Sequence, residues 1–229
     1  MALGSSDDRN RSRDVVYGRN PVAEARRGRR RVHRVWTQEE LPVAELNRLA
    51  GSPDHQGVVA EVDPYPYADP ASLLGGETAL VVALDQVQDP RNLGAICRSA
   101  EAVGAAGIVI PARRSANVTP AAAKASAGAV EHLPVARTRN LADWLANAKR
   151  AGAWVYGARA DAPTRYDTVD LRERTVIVLG GEGKGIRPRV TAACDALVSI
   201  PQAGRLESLN VGAAAAVLLF EAARQRRAD

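Results

Sequence analysis

Cysteine, histidine, lysine and aromatic residues are all scarce in this 229-residue chain. Two cysteines, Cys97 and Cys194, cannot form a disulfide framework and fit a reducing cytoplasm. Three histidines, His33, His55 and His132, lie far apart and offer no metal-ligand spacing with the cysteines, so no metal is expected. No G-x-S-x-G nucleophile elbow occurs. Aromatics are 4%, so the core has to be built from Ala, Val, Leu and Ile, which favours close helix–sheet packing. The longest apolar run, residues 211–220, is short of the ~20 residues a membrane span needs. The N-terminus is polar and arginine-rich without an apolar stretch behind it, unlike a secretory signal. A cytoplasmic protein without a membrane partner is expected.

What is present fits a folded protein. Hydrophobic residues are 46% and charged residues 25%, which excludes wholesale disorder. The length suits one domain, or a large one with a small companion. Charge is uneven along the chain. Through Arg34 there are ten arginines against Asp7, Asp8, Asp14 and Glu24, a net of +6, while the whole chain is +5. A basic excess at one end suits contact with a polyanion such as nucleic acid; it equally suits a solvated tail.

Residues 1–13 read as a flexible tail, with Ser, Asp, Arg and Asn and no periodicity. Residues 14–67 form a small unit. Asn20-Pro21 opens a helix reaching Ala25, residues 32–36 alternate like a strand, 41–49 look helical, and 58–62 form a strand. Pro64, Pro66 and Pro70, followed by Gly75-Gly76, place a linker at about 68–78. From residue 79 to 227 strand-like runs (79–84, 107–110, 133–136, 153–156, 175–179, 197–200) alternate with helix-like ones (93–103, 120–127, 141–150, a short one after Pro188, and 208–226). Such alternation predicts an α/β fold with a parallel sheet covered on both faces.

In an open parallel sheet, ligands sit beyond the carboxyl ends of the strands. Three loops there are unusually polar or glycine-rich. Residues 84–94 lead into the helix carrying Asn92 and Arg98. Asp89-Pro90 is an ordinary helix start, but a cation at Arg98, near a helix N-terminus, is not favoured by the helix dipole and points to function. Gly180-Gly181-Glu182-Gly183-Lys184-Gly185 has four glycines in six residues, which let backbone approach a ligand. It lacks the Ser or Thr of a phosphate-binding P-loop and the spacing of a dinucleotide-binding fingerprint. Glu182 there could cap, bind substrate or be solvated. Residues 200–210 enter the last helix, with Ser208 as its natural N-cap and Asn210 in its first turn.

The strings LDQVQDPRNLGAICRSAEAVGAAGIVIP, VIVLGGEGKGI and LVSIPQAGRLESLNVGAAAAVLLFEAARQ resemble, in order and spacing, the three motifs of the SpoU (TrmH-like) branch of the SPOUT RNA methyltransferases. VVYGRNPVAEAR and DHQGVVAEV resemble the ribosomal-protein-like RNA-binding domain that many members carry, here shortened between Trp36 and Leu41. With SAGAVEHLPV, these strings are most similar to the RlmB-like subgroup, which modifies a guanosine of large-subunit ribosomal RNA. The chain departs from the pattern at Gly212, where the family often has Ser.

The resemblance implies a parallel-sheet SPOUT domain with a C-terminal trefoil knot, a homodimer, and S-adenosylmethionine as cofactor. It implies methylation of an RNA ribose 2′-hydroxyl, most closely a guanosine of 23S ribosomal RNA. A tRNA ribose methyltransferase and a non-catalytic ribosome-assembly factor are the alternatives. By the same match, Gly180, Ile200 and Leu209 hold the cofactor. Asn92, Arg98, Glu182, Ser208 and Asn210 form the catalytic set, with Arg98 either activating the hydroxyl or anchoring an RNA phosphate.

Overall fold

The computed structural model describes residues 13–205 and 208–227. The expected tail at residues 1–12 lies outside them. Two sheets organise the chain. The smaller has three antiparallel strands in the order β1-β3-β2, formed by β1 (Asp14–Tyr17), β2 (Val32–Thr37) and β3 (Val58–Val62). The helices α1 (Arg19–Arg27) and α2 (Val43–Ala50) connect them.

The larger sheet has seven strands, all parallel, in the order β6-β5-β4-β9-β7-β10-β8. Its strands are β4 (Leu80–Asp85), β5 (Gly107–Pro111), β6 (Val135–Thr138), β7 (Trp154–Ala158), β8 (Thr164–Arg165), β9 (Thr175–Gly180) and β10 (Ala196–Ser199). The helices are α3 (Pro90–Ala102), α4 (Pro120–Ala125), α5 (Leu141–Arg150), α6 (Pro188–Thr191) and α7 (Val211–Arg227).

Every residue of β4 is buried, because a central parallel strand is covered on both faces. Its side chains alternate between two cores. Leu80, Val82 and Leu84 face a core shared with Leu93, Ile96, Leu218 and Leu219 of α3 and α7. Val81 and Ala83 face Leu141, Leu145 and Trp144 of α5. Helix starts are set locally. Asp89 accepts from Arg91 N at 2.8 Å with Pro90 at the first helical position, and Thr119 and Asn140 cap α4 and α5.

The sequence reading missed two strands. β1 has four residues, and β8 has two, paired with the end of β10. Both take strand form from their partners rather than from their own periodicity. The last helix also starts later than expected, at Val211 rather than Ser208.

The smaller sheet is docked firmly on the larger unit. Val16, Val22, Ala25 and Val62 belong to the same core as Leu93 and Ile96. Arg30 is buried and donates from Nε to Glu131 Oε2 at 2.9 Å, with a second ion-paired contact from its Nη2. Arg29 donates to the Leu133 carbonyl at 2.8 Å, and the Tyr65 hydroxyl reaches the same carbonyl at 3.0 Å. The stretch expected to be a linker is anchored as well. Ala68 N donates to Val135 O at 2.9 Å, and the Trp144 indole donates to Pro70 O at 3.1 Å.

Candidate active site

The three polar loops meet at the carboxyl edge of the large sheet. Asn92 stands in the first turn of α3, held there by the Asp89 cap and Pro90. It is buried, and its Nδ2 donates to Glu182 Oε1. Asn210 Nδ2 donates to Asn92 Oδ1 at 3.0 Å and lies 3.4 Å from Glu182 Oε1. Asn210 Oδ1 accepts from Gly212 N at 2.9 Å and Ala213 N at 3.3 Å. Asn210 is therefore the N-cap of α7, the role the sequence suggested for Ser208. The geometry explains the difference: the amide of Asn210 caps with its oxygen and binds Asn92 with its nitrogen, which a serine hydroxyl could not do at that span. Ser208 is exposed two residues earlier.

Glu182 is presented by the glycine loop. A Cβ on Gly180 would lie 2.1 Å from Gly185 C, and one on Gly181 would lie 2.4 Å from Gln86 O. Only glycine lets these strands of backbone touch. The loop closes on itself through Gly185 N to Gly181 O at 3.0 Å.

Asp85 clasps both ends of that loop, a role sequence reasoning missed. It is 0% exposed. Its carbonyl accepts from Gly181 N at 2.9 Å, and its carboxylate accepts from Arg187 N and Arg187 Nε, each at 2.8 Å. The available signal was an acid ending an otherwise apolar run, Leu80-Val81-Val82-Ala83-Leu84-Asp85. A buried carboxylate needs such partners to offset its desolvation.

Arg98 is not drawn into this cluster. It is exposed on α3, and among the described residues neither Asp85 nor Glu101 pairs with it. The guanidinium is thus available to a ligand. Ile200 is half-buried, Leu209 is exposed, and residues 200–203 and 208–210 have no regular secondary structure. Together with the glycine loop they offer main-chain groups at the sheet edge. That donor set suits an adenosine-bearing cofactor held by backbone, and the tight contacts at Gly180 and Gly181 leave no room for side chains to obstruct it.

Neither thiol has nucleophile character. Burial pushes Cys97 up to about 12 and Cys194 up to about 11. Among the described residues no group of His, Cys, Asp or Glu could hold a metal ion, and no helix is long and apolar enough to cross a membrane.

A parallel α/β sheet whose polar loops converge at its carboxyl edge defines a ligand-binding protein of the doubly covered α/β class. The particular family follows from comparison: residues 79–220 match the SpoU rRNA Methylase family, and the chain belongs to it. Residues 39–68 match the unit described as RNA 2′-O ribose methyltransferase substrate binding. An uncharacterized tRNA/rRNA methyltransferase of Mycobacterium sp. (strain KMS) is 49% identical over 82% of this chain and 62% of its own length. The chain thus spans less than two thirds of that relative. The SpoU methyltransferase AviRb from Streptomyces viridochromogenes, solved in complex with the cofactor AdoMet, superposes with a TM-score of 0.78 at 29% identity, covering 98% of this chain and 95% of that one. An AdoMet-bound rRNA methyltransferase from Sinorhizobium meliloti gives 0.79 at 28% identity, covering 93% and 87%.

Proposed function

We propose that this chain transfers a methyl group from S-adenosylmethionine to a ribose 2′-hydroxyl of RNA. The observation that carries the reading is the Asn92–Glu182–Asn210 cluster, which joins all three loops through polar side chains at the sheet's carboxyl edge. The preferred substrate is a guanosine of 23S ribosomal RNA. Support for a ribosomal target is that the S. meliloti rRNA methyltransferase matches over both sheets of this chain. A tRNA target is the second reading, favoured by the double name of the mycobacterial relative.

The cofactor supplies an already electrophilic methyl, so the protein's tasks are binding, alignment and handling of one proton. Gly180, Ile200 and Leu209 present main-chain groups to hold the cofactor. Asn92, Glu182 and Asn210 fix one another and orient the ribose. Arg98, exposed and without an ion partner among the described residues, faces the RNA and either lowers the hydroxyl pKa or grips its phosphate, while Ser208 lines the approach. A guanidinium is a poor base at its ordinary pKa, which favours the phosphate role.

Residues 14–67 serve as the RNA substrate-binding unit, 68–78 as its connector and 79–227 as the methyltransferase domain. The strand order, with the late β9 between β4 and β7, supports a trefoil knot. Phe220, half-exposed on α7, supports a homodimer, and the reaction belongs in the cytoplasm. The test is incubation of the full chain with radiolabelled S-adenosylmethionine and ribosomal or transfer RNA, followed by mapping of methylated riboses. Label in ribosomal RNA at a guanosine is expected; label only in tRNA would move the target, and no label in either would overturn the activity.

A further inference from the structure

A second polar feature lies beside the cluster, at the carboxyl ends of β4, β5 and β6. It is a cavity of about 410 Å³ on whose walls five arginines converge: Arg113, Arg114, Arg139, Arg187 and Arg189. Two are neutralised, Arg187 by Asp85 and Arg189 by Asp143. The other three have no anionic partner among the described residues. Like charges gathered around one concavity repel each other, and no structural ion pair accounts for Arg113, Arg114 or Arg139.

The backbone works to keep them there. Arg114 has φ 58° and Gln86, which also lines the cavity, has φ 64°. Both are in the left-handed region, which side-chain-bearing residues seldom adopt and which tends to be retained at functional sites. Ala112 N is tied to Thr138 O at 2.8 Å and Ala116 N to Val87 O at 2.8 Å, so both ends of the loop carrying Arg113 and Arg114 are pinned. The cavity adjoins the glycine loop that carries Glu182. Gln86 abuts Gly181 of the glycine loop, and Arg187 follows that loop directly.

We infer that this cavity is a phosphate-binding subsite for the backbone of the substrate RNA, flanking the nucleotide that enters the Asn92–Glu182–Asn210 cluster. The inference rests on the RNA-methyltransferase reading above. Guanidinium forks match phosphate oxygens in geometry and charge. Among the described residues no aromatic side chain lines the cavity, so its lining is built for charge rather than for an aromatic stacking platform. Contacts of this kind position the strand without reading its sequence.

The test replaces Arg113, Arg114 and Arg139 by Gln, singly and together, in the full chain. Equilibrium binding is measured across a KCl series, without cofactor, to a fluorescent 23S ribosomal RNA fragment and to a tRNA transcript. Each lost phosphate contact is expected to lower the slope of log affinity against log salt by about 0.7–0.9, so the triple variant loses about 2–3 units with either RNA. Arg150→Gln, at the far end of α5, is the charge-matched control and is expected to keep the slope. The melting temperature and calorimetric affinity for S-adenosylmethionine are expected to stay at wild-type values, because the three side chains have no ion partner among the described residues. An unchanged slope and affinity in the triple variant with both RNAs would overturn the subsite, as would equal losses in the Arg150 control. Should the triple variant melt early, the single variants decide on the same criterion. A wild-type chain that binds RNA but transfers no methyl would count against the proposed activity while leaving the salt slopes to judge the cavity.

Discussion

Arg98 and the amide–carboxylate cluster make separable contributions at the level of single residues. Arg98→Ala is expected to reduce methyl transfer by about 10²-fold or more, the scale of a group acting on the transition state. Its unfolding free energy should stay within the ~0.5 kcal/mol typical of surface changes, because no ion pair among the described residues is lost. Turnover and thermal melts on the same preparation check both; near-normal turnover would remove Arg98 from the mechanism. Asn210→Ala differs, since it removes the cap of α7 at about 1 kcal/mol and leaves Asn92 Oδ1 without its donor, while the Asn92–Glu182 bond stays. A double-mutant cycle of Asn92→Ala and Glu182→Ala should show a coupling of about 0.5–3 kcal/mol in transition-state stabilisation. Additive effects would mean that the hydrogen bond seen between them is idle in the reaction.

At the level of elements, the glycine loop depends on two constraints that act from different strands. β9 must end in a residue without a side chain, because Gly185 backbone occupies the space where a Cβ would stand. β4 must end in a carboxylate, because Asp85 holds Gly181 and Arg187 together. Gly180→Ala should force the loop open and weaken S-adenosylmethionine binding by about tenfold or more, corresponding to about 1.4 kcal/mol. Calorimetry on the folded variant would show it, and unaltered affinity would place the cofactor elsewhere. Asp85→Ala should cost about 1.5–3 kcal/mol of stability, the range for hydrogen bonds to a charged group. It sits at the low end because Arg187 is partly solvated and can recover water. Chemical denaturation is the measurement.

For the whole molecule, the two sheets act as one body. Several of the N-terminal arginines that suggested polyanion contact are used internally: Arg30 pairs with Glu131, Arg29 binds Leu133 O, and Arg27 pairs with Glu24. Arg19, Arg26 and Arg31 have no ion partner among the described residues, so they are the ones left for the polyanion contact the charge distribution suggested. Glu131 is 1% exposed, so Glu131→Ala leaves the buried Arg30 guanidinium with only the longer 3.7 Å ion pair to Asp14, and should cost about 3 kcal/mol, the lower end for breaking a buried pair, with Arg30→Ala in the same chain recovering part of the loss. Deleting residues 1–67 would expose this carboxylate and the apolar surface under Val22 and Ala25. The truncated chain should therefore melt below the full one as well as lose RNA affinity. Equal melting temperatures would show that the docking contributes no stability.

The alternation of Val- and Leu-rich runs with helical stretches is local information, and the α/β class, the helix start at Asp89-Pro90 and the helices beginning at 120 and 141 were legible without coordinates. The three polar loops were legible too, since topology alone sends loops after parallel strands to one edge. Three things were not. β1 and β8 are too short to carry a period and exist because β3 and β10 offer them hydrogen bonds. Asn210 rather than Ser208 became the cap because Asn92, 118 positions away, takes its amide nitrogen. Asp85 and the cavity arginines acquired their roles only when separate strands brought them together, since burial, ion pairing and the convergence of like charges are properties of residues distant in sequence. Local propensity and patterning thus determined which elements form, and tertiary packing decided which side chains meet.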